Sequence, residues 1–187
     1  MTMLNDLEFL NSTAIETVSG MLVDPWDPDP TQIHIADIAL GLSRVARFGG
    51  HTNRNWSVAQ HSIMVAQRLP PELQLTGLLH DATEAYMGDL IRPFKKRCPN
   101  YMVGEERLAR CIAERFGLQY PWHPEVKKVD DEVLLLERRM LKLGDTSVAL
   151  GPLALLTQEG VRKEFMQLFD RLSLPHDEQE PEFRTVH

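Results

Sequence analysis

Cysteine is scarce in this chain. There are two in 187 residues, Cys98 and Cys111, in no metal-binding spacing, which excludes a disulfide scaffold or cysteine-rich zinc module and leaves two reduced thiols. Long apolar runs are missing as well: no stretch approaches the roughly 20 residues that cross a bilayer, so no membrane span is expected. From Met1 to Glu16 there are acidic residues but no basic cluster ahead of an apolar core, so no secretory signal is read there and the expected compartment is the cytoplasm. Positive charge is in deficit, with 20 Lys and Arg against 27 Asp and Glu and a net charge of −7. That argues against a nucleic-acid polymer as partner, whose backbone calls for a basic surface. It still allows a small anion held by a local basic cluster. Also absent are a phosphate-cradling Gly-x-x-x-x-Gly-Lys loop, a Gly-x-Ser-x-Gly elbow and an activated Ser or Cys, which leaves attack by water as the route for any hydrolysis.

What is present is an ordinary globular composition, long enough for one domain over 1–187 with a core spanning about 19–172 and a polar tail from Pro175. Apolar periodicity predicts helices over Leu4–Met21, Asp37–Arg47, Ser57–Arg68 with Ser57 as N-cap, Glu72–Met87, Tyr101–Phe116, Val126–Leu143 and Thr157–Leu172. Pro25, Pro28 and Pro30 make Asp24–Pro30 an extended loop. No convincing strand pair is visible, so the expected fold class is all-α, a compact helical bundle.

The chemistry concentrates on His80-Asp81, set among Leu78, Leu79 and Ala82. A carboxylate in such surroundings is costly unless it is paired or bound to a metal ion, and imidazole with carboxylate suits a divalent first-row ion. Read as one helix, this segment also brings Glu84 to the same side as His80 and Asp81. His61 lies in another apolar segment. In Val126–Leu143, Asp130 shares the largely apolar stripe of Val126, Val133 and Glu137, whereas Asp131 falls with Lys128, Leu135 and Arg138, so Asp130 is read as the inward acid.

His61, then His80-Asp81, then Asp130 resembles the H…HD…D pattern of HD-domain metal phosphohydrolases. The runs Ser57-Val-Ala-Gln-His61, Gly77-Leu-Leu-His80-Asp81-Ala-Thr-Glu84 through Asp89 to Arg92-Pro-Phe-Lys95, and Val126-Lys-Lys-Val-Asp130 are similar to the subgroup of bacterial 5′-deoxynucleotidases and phage dATP triphosphohydrolases. The resemblance covers roughly Ser19–Lys142. It implies the HD-type bundle and one divalent transition metal (Zn, Co, Mn or Fe) on His61, His80, Asp81 and Asp130, with a second ion such as Mg allowed. It further implies that Glu84 orients or deprotonates the attacking water. By the same resemblance Arg47, with Arg44 as the alternative, contacts phosphate. Phe48 lies beside sugar and base, Asp89 recognises the sugar 3′-hydroxyl, and Lys95 and Lys127 contact further phosphates. The implied activity is hydrolysis of the 5′ phosphate ester of a deoxynucleotide. The basic residues point first to a dNTP, dATP foremost, and a dNMP 5′-nucleotidase is the alternative. A non-catalytic nucleotide sensor is a second alternative. The family also implies a homo-oligomer, in host cytoplasm if phage-encoded.

Overall fold

A computed structural model describes residues 12–147 and 151–174. Within them a two-stranded antiparallel hairpin, β1 (Ile15–Glu16) and β2 (Leu22–Val23), precedes eight α-helices. These are α1 (Ile35–Arg44), α2 (Val58–Ala66), α3 (Pro71–Leu79), α4 (Glu84–Met87), α5 (Arg92–Lys95), α6 (Pro99–Arg115), α7 (Pro124–Glu137) and α8 (Gln158–Leu172). The all-α expectation holds for the bulk of the described chain, and no described helix is long and apolar enough to cross a membrane.

Helix α2 is the axis of the molecule. All of its residues are buried, and α1, α3, α7 and α8 pack around it. A helix apolar on every side belongs in the interior rather than on a surface. Its start is secured by a capping box. Ser57 Oγ accepts from the Gln60 backbone N–H at 3.3 Å, and Gln60 Oε1 accepts from the Ser57 N–H at 2.8 Å. The Gln60 side-chain nitrogen donates to the Leu153 carbonyl at 2.7 Å, so both the oxygen and the nitrogen of this buried amide are engaged. Just upstream, Val58 N–H bonds to Val45 O and Arg47 N–H to Trp56 O, clamping the segment that carries Arg47 against the foot of α2. Helix α1 then approaches α4 closely at Gly41, where a Cβ would sit 2.8 Å from the Ala85 carbonyl oxygen. Only glycine permits that approach, and it holds the Glu84 end of α4 in place.

Three expectations fail. The helix over Leu4–Met21 is not found in its described part. Residues 12–21 form β1 and a turn, while residues 4–11 lie outside the described residues. Ser12 Oγ accepts from Ala14 N–H and Thr17 Oγ1 from Met21 N–H, and Gly20 takes a φ of 80°. Short hydroxyl side chains compete for backbone donors in this way and favour turns over helix. The same hairpin overturns the expectation of no strand pair. The single helix over Glu72–Met87 is broken instead into α3, a turn at residues 80–83, and α4. The predicted tail from Pro175 lies outside the described residues.

Candidate metal centre

The break at 80–83 has a local cause. His80 Nδ1 lies 2.7 Å from the Gly77 carbonyl oxygen, the group that the Asp81 N–H would use in a continuous helix. A carbonyl only accepts, so Nδ1 donates. The following backbone bonds then tighten to three-residue spacing, as in Ala82 N–H to Leu79 O and Glu84 N–H to Asp81 O. His80, Asp81 and Glu84 therefore reach one cavity from a tightened turn and the start of α4, rather than from one face of a regular helix.

Helix α2 supplies His61 and α7 supplies Asp130. One donor atom each from His61, His80 and Asp130 lies within 4.8 Å of the others. His61 Nε2 is 3.1 Å from Asp130 Oδ1. Asp81 completes the set, its Oδ2 lying 3.3 Å from His80 Nε2 and 3.7 Å from His61 Nε2. The residues present fit a divalent cation. Among the described residues His80 Nε2 is buried without a hydrogen bond, with the Asp81 carboxylate 3.3 Å away, a costly arrangement unless a cation lies between them. Two imidazoles and two carboxylates are the donor types that such ions accept. Burial pushes the Asp81 carboxyl up, but His80, His61 and Arg47 overcome this and hold it well below the usual range. Asp130 is likewise held low, because its hydrogen bond with His61 and the charge of His80 outweigh burial. Both acids are ready as anions.

Glu137 escaped the sequence reading. It has no exposed surface, and it sits beneath the cluster. Its Oε1 accepts from Trp56 Nε1 at 2.7 Å and from His61 Nδ1 at 2.9 Å, while Oε2 accepts from Arg47 Nη2 at 3.2 Å. Burial alone would raise its carboxyl, but the charge and hydrogen bond of His61, together with Arg47 and Trp56, hold it below the usual value. A carboxylate on the far nitrogen of a ligating histidine fixes the tautomer and aims Nε2 inward. The signal was available: Glu137 lies two helical turns beyond Asp130, a charge on an otherwise apolar stripe. Trp56 supplies the indole that anchors it. Replacing Glu137 with Gln should weaken cation binding by roughly 10–100-fold, the usual cost of losing such a partner. Calorimetric titration with the divalent ion checks this, and an unchanged affinity would remove Glu137 from the site.

The other expected residues, Arg47, Phe48, Asp89, Lys95 and Lys127, line the same cavity of about 1220 Å³. Arg47 is not a solvated cation at a helix end. It is 8% exposed, anchored on Glu137, with Nη1 3.7 Å from Asp89 Oδ2 and 3.9 Å from Asp81 Oδ2. Arg44 faces a separate, smaller cavity, so the alternative falls away. Phe48 is held at φ 56°, the left-handed region, which costs a bulky residue about 1–3 kcal/mol. Lys95 Nζ is engaged by Glu105 at 2.6 Å, and Lys127 Nζ by Asp130 at 2.9 Å and Asp131 at 2.6 Å. Lys128 pairs with Glu125, and Asp131 is exposed at 49% of its side chain against 16% for Asp130, which separates the inward acid from its neighbour. Glu84 is 8% exposed, its Oε2 has no hydrogen-bond partner among the described residues, and burial followed by the charges of Asp81 and Asp89 pushes its carboxyl well up.

The sequence is similar to two curated proteins. It is 43% identical over 135 residues to the uncharacterized protein YfdR of Escherichia coli, an alignment covering 71% of this chain and 75% of that one. It is 40% identical over 111 residues to an uncharacterized protein of Rhodobacter capsulatus, covering 54% of this chain and 57% of that one. No family model matches the sequence.

Proposed function

The chain belongs to the same family as YfdR, a kinship that names no chemistry, and we propose from its own site that it is a metal-dependent phosphohydrolase of the HD type. One observation carries this reading: two buried imidazoles, each with Nδ1 already engaged, turn Nε2 toward a common point shared with the carboxylates of Asp81 and Asp130. His61, His80, Asp81 and Asp130 would hold the ion. When bound there, a divalent cation supplies positive charge for a phosphoryl oxygen and makes a water more acidic. The chain's own groups do the rest. Glu84, at the wall of the cavity with a free carboxyl oxygen, takes the proton of the attacking water. Arg47 turns Nη1 into the cavity, where it meets phosphate oxygens as a donor already oriented by Glu137. Asp89 accepts from the sugar hydroxyl, and Phe48 offers its ring to the sugar and base.

The substrate is the 5′ phosphate ester of a deoxynucleotide. The carboxylates engaging Lys95 and Lys127 favour a monophosphate over dATP or another dNTP, since a triphosphate would have to compete with Glu105, Asp130 and Asp131 for those cations. Incubating the purified protein with each dNMP and dNTP plus Mn²⁺ or Co²⁺, then separating the products, tests both statements. Orthophosphate from dNMPs is the expected result. Triphosphate from one dNTP would restore the other substrate, and no product from any nucleotide would end the hydrolase reading.

Cation binding should depend on pH through His61. Burial and Arg47 push its imidazole down, but the charge of Glu137 and hydrogen bonds to Asp130 and Glu137 prevail and raise it to about 9. The group is thus protonated below that pH in the cation-free protein, and a cation on Nε2 must displace the proton. Affinity should climb about tenfold per pH unit toward pH 9 and level off above it, as one displaced proton requires. Chelator competition at several pH values reads this. A flat profile would mean that His61 is not a ligand.

A further inference from the structure

The cavity is larger than one nucleotide needs. Small-molecule sites run about 300–1,000 Å³, and this one reaches about 1220 Å³. It is also long. Lys127, Asp130, Leu134 and Arg138 all line it from one stripe of α7 and the π-helical segment Arg138–Lys142 that follows. At 1.5 Å per residue that stripe alone spans roughly 16 Å. The candidate ligand Asp130 lies inside the stripe, with an aromatic group beyond each end. On one side is Phe48, its ring centre 5.4 Å from Lys142 Nζ. On the other, just before α7 begins, are Tyr120 and Trp122, edge to face at 4.9 Å between ring centres.

The Tyr120 end is not built for a phosphate chain. The basic side chains at this end and along the cavity are occupied: Arg110, 5.1 Å from the Tyr120 ring centre, by Glu106 at 2.7 Å, Lys127 by Asp130 and Asp131, Arg92 by Asp131 at 3.0 Å, and Lys95 by Glu105. Its wall instead combines the two rings with Met102 and Val103, which are 49% and 47% exposed, beside the mutually paired Glu106 and Arg110. Half-exposed apolar residues continuous with a candidate catalytic site mark a binding surface for an apolar or planar group. We propose that Tyr120 and Trp122 form a second subsite for a planar group carried on the far side of the phosphate. The preferred substrate is then a phosphodiester joining two nucleoside-like groups, of which a dinucleotide is the simplest. This rests on the phosphohydrolase reading and narrows its substrate. The step balances without any other reactant. A water oxygen bonds to phosphorus, the P–O5′ bond breaks with its electron pair leaving on O5′, and the proton released by water ends on that oxygen. The products are a nucleoside and a nucleoside 3′-monophosphate.

The test uses the full chain with Mn²⁺, thymidylyl-(3′→5′)-thymidine and thymidine 5′-monophosphate. The wild type should cleave the dinucleotide with the higher kcat/KM. Tyr120→Ala and Trp122→Ala should each lower that value roughly tenfold or more, the scale of one lost stacking contact, and leave the monophosphate unchanged. Trp122→Phe should retain most of it. Equal losses on both substrates, or a dinucleotide cleaved no better than the monophosphate, would overturn the inference. So would a change from oligomer to monomer in sedimentation of the Trp122→Ala variant, which would assign the patch to a second copy. If no ester is cleaved at all, the hydrolase reading fails separately. The subsite is then judged by dinucleotide binding: a roughly tenfold weaker Kd in the variants supports it, and an equal Kd overturns it.

Discussion

His80→Ala is expected to remove turnover and bound cation together. The substitution deletes the buried Nε2 that makes no hydrogen bond among the described residues, so the loss falls on the ion rather than on a hydrogen-bond network. A catalytic cation contributes several kcal/mol to the transition state, so the rate should fall on the order of 10³-fold or more. The fold should survive. The Gly77 carbonyl given up by His80 is the natural acceptor for the Asp81 N–H, and the turn at 80–83 can relax toward regular helix. Metal analysis after gel filtration, rate measurement and thermal unfolding of cation-free samples read the three consequences. A variant that keeps its metal and its rate would dismantle the proposed centre.

Glu84→Gln separates proton transfer from cation binding. The amide nearly matches the carboxyl in shape but cannot accept a proton at neutral pH. Turnover should drop about 10²–10⁴-fold while the cation content stays at the wild-type level. The pH profile carries a sign as well. Burial, then Asp81 and Asp89, push the Glu84 carboxyl above the ordinary glutamate range, and a base works only when deprotonated. Activity should therefore rise with pH through an ionisation displaced upward from that of a free glutamate, and Glu84→Gln should erase that limb. Full activity in the variant would transfer water activation to another group.

The parts of the centre that were legible in the sequence share a feature: each is a charge or imidazole standing where its own helix demands an apolar residue. His61 in an unbroken apolar helix, His80-Asp81 beside Leu78 and Leu79, and Asp130 rather than Asp131 all follow from that conflict. Glu137 presented the same conflict two turns after Asp130. Its meaning was hidden because Trp56 and Arg47, which it binds, come from residues 81 and 90 positions away. The basic residues show the opposite limit. Lys95 and Lys127 point to a triphosphate in the sequence, which does not show that Glu105 and Asp131 pair with them.

By itself, the sequence determined the helical class, the buried character of Val58–Ala66 with its Ser57 cap, and the residue types able to hold a cation. These are local properties: periodicity says which face of a helix is apolar, and a cap acts within one turn. Only the tertiary structure decided that His80 breaks its own helix, that Arg47 is locked beneath the cavity by Glu137, and that the groove continues past Asp130 to Tyr120 and Trp122. Those outcomes depend on which segments the burial of apolar surface forces together, and side-chain spacing along one segment carries no record of what is packed against it from another.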